Sequence, residues 1–266
     1  LKMADQSFED KPQETGHYND ILPRLKEWLS NNTDHSLHTD MSYQYARMLD
    51  LSDDPESAKV VLKQVADKLD SGNTSTLSEK DAKLLVETLF RLGEYAFSDD
   101  QFKDAIDYYT KTIATYKLLP RQKALETEDV VTKSIYMRGW SHLQLNQMQS
   151  AVKDFTVAVQ AKRQNQINMK EDALRGLVLT VHDNGGINKI NQLIPPKSVE
   201  PISIMLYNKF LEFYETNKLW SETYNTYRKF QSNYPNSKKA VEFQRRLIEH
   251  LIALKQYKSA LDEKSF

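Results

Sequence analysis

Two stretches of the chain repeat each other at an offset of 46 residues, and few folds are compatible with that constraint. Leu89 and Ile135, Phe90 and Tyr136, Gly93 and Gly139, Phe102 and Met148, Ala105 and Ala151, Tyr109 and Phe155, and Ile113 and Val159 match pairwise in size and polarity. Self-similarity at such a period marks stacked supersecondary units, each burying its apolar face against its neighbours. Arrays of that kind present long surfaces to partners more readily than they gather catalytic groups.

Composition narrows the choice further. Lys and Arg total 36 against 37 Asp and Glu, a formal charge of -1, which gives no long-range field toward nucleic acid or an anionic membrane. Aromatic residues make up 10% of the 266 positions, enough large rings to build a core. Seven Gly and eight Pro are few for a chain of many tight β-turns. The absence of Cys excludes a disulfide scaffold and any thiolate nucleophile or ligand. No run approaches the ~18 apolar residues of a membrane span, so direct membrane insertion is not expected. A start at Leu1 with no basic-then-apolar leader reads as a fragment or a processed product.

Along the chain, residues 1–38 read as a polar lead-in followed by a capping helix from Tyr18 to Ser30, with Ile21, Leu22, Leu25, Trp28 and Leu29 at helical spacing. Helix pairs then follow over 39–72, 86–117 and 132–163. Asp53-Asp54-Pro55, Ser98-Asp99-Asp100-Gln101 and Asn146-Gln147 make their turns, and Gly72 is placed to cap the first pair. Ser78 and Asp81 are candidate N-caps. An insertion around Pro120 expands a unit of about 34 residues to 46. Residues 169–195 read as a degraded pair turning at Asp183-Asn184-Gly185-Gly186, and Pro195, Pro196 and Pro201 as a stiff elbow. Two further pairs occupy 204–237 and 241–266; an array stopping at Phe266 leaves an apolar face and suggests that more chain follows.

Residue types with chemical potential have plainer readings. His35 and His38 are close enough to share a metal, yet no third or fourth ligand accompanies them, so no metal site is expected. Asp183-Asn184-Gly185-Gly186 lacks the glycine spacing and the Lys-Ser/Thr of a phosphate loop. The acidic groups Asp53-Asp54, Asp99-Asp100 and Glu126-Glu128-Asp129 suit helix caps better than a calcium loop. Asn31-Asn32-Thr33 and Asn73-Thr74-Ser75 fit the glycosylation pattern, which is common by chance. No catalytic residues and no cofactor are expected.

A small residue in the first helix and another twelve later recur in Ala46/Ala58, Gly93/Ala105 and Gly139/Ala151, with Ile248/Ala260 keeping the step. Aromatic residues follow four positions on at Tyr109, Phe155 and Tyr227, and a closing proline at Pro235. This resembles the tetratricopeptide repeat (TPR). Small residues let paired helices approach, while the ring fills the space toward the next unit. Leu211, Thr223, Ile248 and Lys264 depart from the pattern, and residues 169–195 barely fit.

The resemblance implies an all-α fold: a right-handed superhelical array of antiparallel helix pairs, about five to six repeats, some degenerate. Asn233-Tyr234-Pro235-Asn236-Ser237-Lys238-Lys239-Ala240 is similar to junctions in bacterial cell-envelope TPR proteins and points toward periplasm or envelope over cytoplasm. Carried over by register, the concave face would include Tyr43, Arg47, Phe90, Glu94, Phe97, Tyr136, Trp140 and Leu143. The expected partner is a protein or peptide, not nucleic acid. Those positions lack the Lys and Asn of a chaperone-tail clamp. The implied function is a non-catalytic interaction scaffold in an envelope assembly. A regulator responsive to a signalling peptide and an accessory region of a larger enzyme stay open, as do partner identity and oligomeric state.

Overall fold

The computed structural model describes residues 18–70, 77–119, 121–161, 167–196 and 200–264. The described residues form thirteen α-helices, one 3-10 turn and no strand. In order these are α1 (Tyr18–Asn31), α2 (His38–Leu51), α3 (Pro55–Asp70), α4 (Glu79–Ser98), α5 (Phe102–Tyr116), α6 (Arg121–Gln144) and α7 (Met148–Val159). Next come α8 (Ile167–Asp183), the 3-10 turn Ile187–Lys189, α9 (Ile190–Leu193), α10 (Glu200–Thr216), α11 (Trp220–Asn233), α12 (Ala240–Ala253) and α13 (Tyr257–Lys264). The expected lead-in over 1–17, the Gly72 cap and Pro120 lie outside the described residues.

Five helix hairpins share one turn. Asp53, Asp100, Asn146, Lys218 and Lys255 each take positive φ, between 55° and 64°. The next residue donates its N–H to the carbonyl five positions back: Asp54 to Leu49, Gln101 to Ala96, Gln147 to His142, Leu219 to Tyr214 and Gln256 to Leu251, at 2.8–3.0 Å. This left-handed closure satisfies carbonyls that a helix end leaves open. The same residue's carbonyl accepts the first N–H of the following helix, from Ala58, Ala105, Ala151, Thr223 or Ala260. All five of those small side chains are buried, four of them with no exposed surface. Each turn therefore delivers a small residue to the point where the second helix crosses the first.

The fit at the crossing is tight. A Cβ built on Gly93 would lie 2.6 Å from Tyr109 Cε1, and one on Gly139 would lie 3.0 Å from the Phe155 ring. Gly176 of α8 would meet the same Phe155 ring at 2.6 Å, so one ring is gripped by glycines of α6 and α8. Residues 169–195 are thus less degraded than the sequence pattern implies. Their first helix, α8, is full length with its glycine in place, and only the second is reduced, to the 3-10 turn and α9. Gly186, at φ 72°, donates to Val181 in the same five-back closure.

The first helices of the repeating pairs also begin earlier than expected. α4 starts at Glu79, where Ser78 Oγ accepts the Asp81 N–H at 3.1 Å as its N-cap, and not at Val86. α6 starts at Arg121 and not Thr132, so residues expected as an insertion extend a helix of 24 residues. α3 is capped by the Asp54 carboxylate, which accepts the Ser57 N–H at 3.1 Å.

The chain divides into two compact units, 1–134 and 135–266, with the boundary inside α6. In the first, Tyr43, Ala46, Leu62, Ala66, Leu85, Leu89 and Leu92 form a core where α2, α3 and α4 meet. Side-chain bonds join successive hairpins: Lys80 to Asp40 at 2.5 Å, Tyr95 to Asp50 at 2.6 Å and Lys59 to Asp99 at 2.9 Å. In the second, one continuous core runs from Ala151 to Ala260. There Tyr136 donates to Asp172, Lys209 pairs with Glu171 at 3.4 Å, and Arg246 donates to Asn208 at 2.7 Å. These bonds tie α6 to α8, α8 to α10 and α10 to α12. Along the second helices, Asn191 and Asn233 exchange amide hydrogen bonds, and Glu263 accepts from Tyr224 and Arg228.

Candidate functional site

The candidate residues sit on the first helices of the hairpins, and the structure separates them by exposure. In the first unit, Tyr43 and Phe90 are packed into the interior at 4% and 6% exposure. This corrects their assignment to an open face, because helices joined by a three-residue turn approach too closely to leave those rings outside. Burial, with the Glu87 carboxylate beside it, pushes the Tyr43 phenol up to about 12. Phe90 lies against the Tyr109 ring, centroids 6.1 Å apart. Arg47 is exposed, and Phe97 is half-buried edge-on to Phe102.

Glu94 is also half-buried, and its carboxylate accepts from Arg91 at 3.0 Å. Burial holds its pKa above the usual carboxylate range, while Arg91 and Lys133 pull the other way. Arg91 in turn feels the Tyr43 hydroxyl and Asp50. Tyr95, whose hydroxyl is held protonated by burial and by its bond to Asp50, closes the group. The first unit therefore carries a charged network over Tyr43, Asp50, Glu87, Arg91, Glu94 and Tyr95, rather than an aromatic pocket. Of these, Tyr43 and Glu94 are among the residues carried over by register, whereas Asp50, Arg91 and Tyr95 are not. Their spacing on α2 and α4 is legible only once the two helices are known to lie side by side.

In the second unit, Tyr136, Trp140 and Leu143 of α6 are half-buried and packed against the core. Trp140 stands edge-on to Phe155 at 5.1 Å and to Tyr136 at 6.3 Å. The Tyr136 hydroxyl donates to Asp172, with Arg175 nearby, and burial raises its pKa. These three residues are brought together on one helix face with Asp172 and Arg175 of α8 beside them. That arrangement offers aromatic surface and both signs of charge within a short distance. Such a surface can hold a peptide by ring contact and by paired hydrogen bonds.

The remaining polar residues serve the fold. His35 Nδ1 accepts the Leu37 N–H at 3.1 Å and its ring meets Trp28, while His38 faces Ser42. Among the described residues no group of three or more His, Asp or Glu could hold a metal ion. Asp183-Asn184-Gly185-Gly186 is a turn at the end of α8. Asp154, 3% exposed, takes both a 2.7 Å and a 2.8 Å bond from Arg138, an ion pair across the α6–α7 hairpin that periodicity alone does not reveal. His250, on α12, is enclosed by Trp220 and Tyr227, and burial lowers its pKa. Among the described residues no helix is long and apolar enough to cross a membrane. Compared with protein-family models and with curated proteins, the chain matches none.

Proposed function

We propose that the chain is a TPR-like array of helix hairpins acting as a non-catalytic scaffold, and that it holds a peptide or protein along the face of its first helices. The observation that carries this reading is the recurrence of one turn geometry in five hairpins, with side-chain bonds linking residues 35–45 positions apart. A repeated unit whose polar contacts run to the next unit buries its core by stacking and leaves first-helix surface within each compact unit open to a partner. The contact residues are the accessible ones: in the first unit Arg47 and Phe97, with Glu94 beside Phe97, and in the second unit Trp140 and Leu143, with Tyr136 beside Trp140. An envelope assembly is the proposed setting, on the strength of the Asn233–Ala240 junction, which forms the connection from α11 to α12.

The test is affinity capture with the intact protein from its native host, run beside Trp140→Ala and Arg47→Glu. Retention of one protein by the parent and a loss of at least tenfold with either variant supports the reading. Equal retention by parent and both variants overturns the assignment of the face.

A further inference from the structure

The α12–α13 hairpin carries the three most exposed large apolar side chains among the described residues: Val241 is 77% exposed, Leu261 64% and Tyr257 59%, and Ile252 of the same hairpin is 46% exposed. Helical register places them together. On α12, Phe243, Leu247 and Leu251 are buried, His250 points to Trp220 and Tyr227, and Arg246 points to Asn208 and Tyr227. Val241, Ile248 and Ile252 fall on the other side of that helix, about a third of a turn round from Leu247. On α13, Ala260 and Glu263 are buried, and Tyr257 and Leu261, four residues apart, share the side away from α11.

The molecule itself shows what this kind of surface does. The turns of the two hairpins align Lys218 with Lys255 and Thr223 with Ala260, so Tyr257 corresponds to Trp220 and Leu261 to Tyr224. Trp220, still 40% exposed, lies against His250 and Tyr224 donates to Glu263, so in the preceding hairpin both positions touch a helix of the next. The α12–α13 face thus continues an established helix-packing interface.

Charge indicates the occupant. Lys258 and Asp262 flank Leu261 one turn apart, both exposed, and neither makes an ion pair among the described residues. Arg245 and Glu249, 3.3 Å apart, repeat the alternation on α12. A two-fold axis across α13 sets Lys258 of one copy over Asp262 of the other, and the reverse, with Leu261 and Tyr257 along one side of those charges. A self-complementary patch is what an isologous interface requires.

We infer that the α12–α13 face is a homodimer interface, pairing two copies through α13 in antiparallel fashion. The interface is independent of the partner proposed for the first-helix face. Sedimentation equilibrium of the whole chain over about 1–200 µM tests it, a span that brackets micromolar self-association. A concentration-dependent dimer is expected, weakened at least tenfold by Leu261→Glu and by Tyr257→Ser. Lys258→Asp and Asp262→Lys should each weaken it, and the double exchange should restore it. Because all four side chains are exposed, helical content and melting of the variants should match the parent, which separates loss of pairing from loss of fold. A monomer throughout that range, a dimer indifferent to Leu261→Glu, or charge exchanges whose effects merely add would overturn the inference.

Discussion

A buried ring held between two glycines is the smallest unit of this fold. Phe155 and Tyr109 have no exposed surface, and the atoms closest to Gly93, Gly139 and Gly176 belong to those two rings. A glycine inside a helix costs about 1 kcal/mol relative to alanine, so its presence there needs a packing reason. Close approach supplies one. Where the added Cβ would come within 2.6 Å of an enclosed ring, the ring must move, and overpacking of that kind costs ~1–3 kcal/mol. Gly93→Ala and Gly176→Ala should therefore lower stability by about 1–2 kcal/mol in urea unfolding. Gly139→Ala, at 3.0 Å, should come out near zero because helix propensity offsets a milder contact. A Gly176→Ala variant more stable than its parent would show that Phe155 does not occupy the space between α6 and α8. Gly139 was legible from its match to Gly93. Gly176 was not, because the short α9 behind it breaks the twelve-residue step on which the pattern depends.

At the scale of the element, the turns repeat more faithfully than the helices. Asp53, Asp100, Asn146, Lys218 and Lys255 all adopt the left-handed conformation, and none is glycine. Asn and Asp tolerate it through local hydrogen bonds, whereas Lys has no such help, and the strain is about 1–2 kcal/mol. Lys218→Gly should raise stability by roughly 0.5–1 kcal/mol, the relieved strain exceeding the added chain entropy. Asn146→Gly should gain less, and thermal melts of the two variants check the order. These turns were readable in advance because polar residues interrupt the apolar spacing at 53–55, 98–101 and 146–147. Helix length was not. Residues 79–85 and 121–131 carry charges with only scattered apolar positions, and what makes them helical is the Ser78 cap and the packing of Ala82, Leu85 and Val131. The exposure of Tyr43 and Phe90 was misjudged at the same step. A register borrowed from other arrays puts Tyr43 and Phe90 on the face, but here the rings turn inward to fill the space between paired helices, and only Arg47, Phe97 and the Tyr136–Leu143 stretch stay within reach of a partner.

At the scale of the whole molecule, the chain depends on keeping its phenols neutral. Of 14 tyrosines, Tyr43, Tyr214 and Tyr227 are pushed up from 10 to about 12, chiefly by burial, and Tyr95, Tyr109, Tyr136 and Tyr207 are pushed up further. Tyr109 also buries a hydroxyl that makes no hydrogen bond to the described residues. The sign follows from linkage. A phenol whose folded pKa lies above its unfolded value stabilises the fold fully below pH 10, and that contribution is lost as pH rises toward 12. For Tyr43 alone a rise from 10 to about 12 corresponds to roughly 3 kcal/mol, a large share of a typical folding free energy. Because these side chains are spread over both compact units, neither is spared. Absorbance at 295 nm should show a steep cooperative rise between pH 11 and 12 that coincides with loss of helical circular dichroism. Tyr43→Phe should move that transition to higher pH, since it removes one ionisation that the fold resists. A smooth titration of all tyrosines near pH 10, with helicity intact, would mean that these rings are open to solvent and that the cores of both units are packed differently.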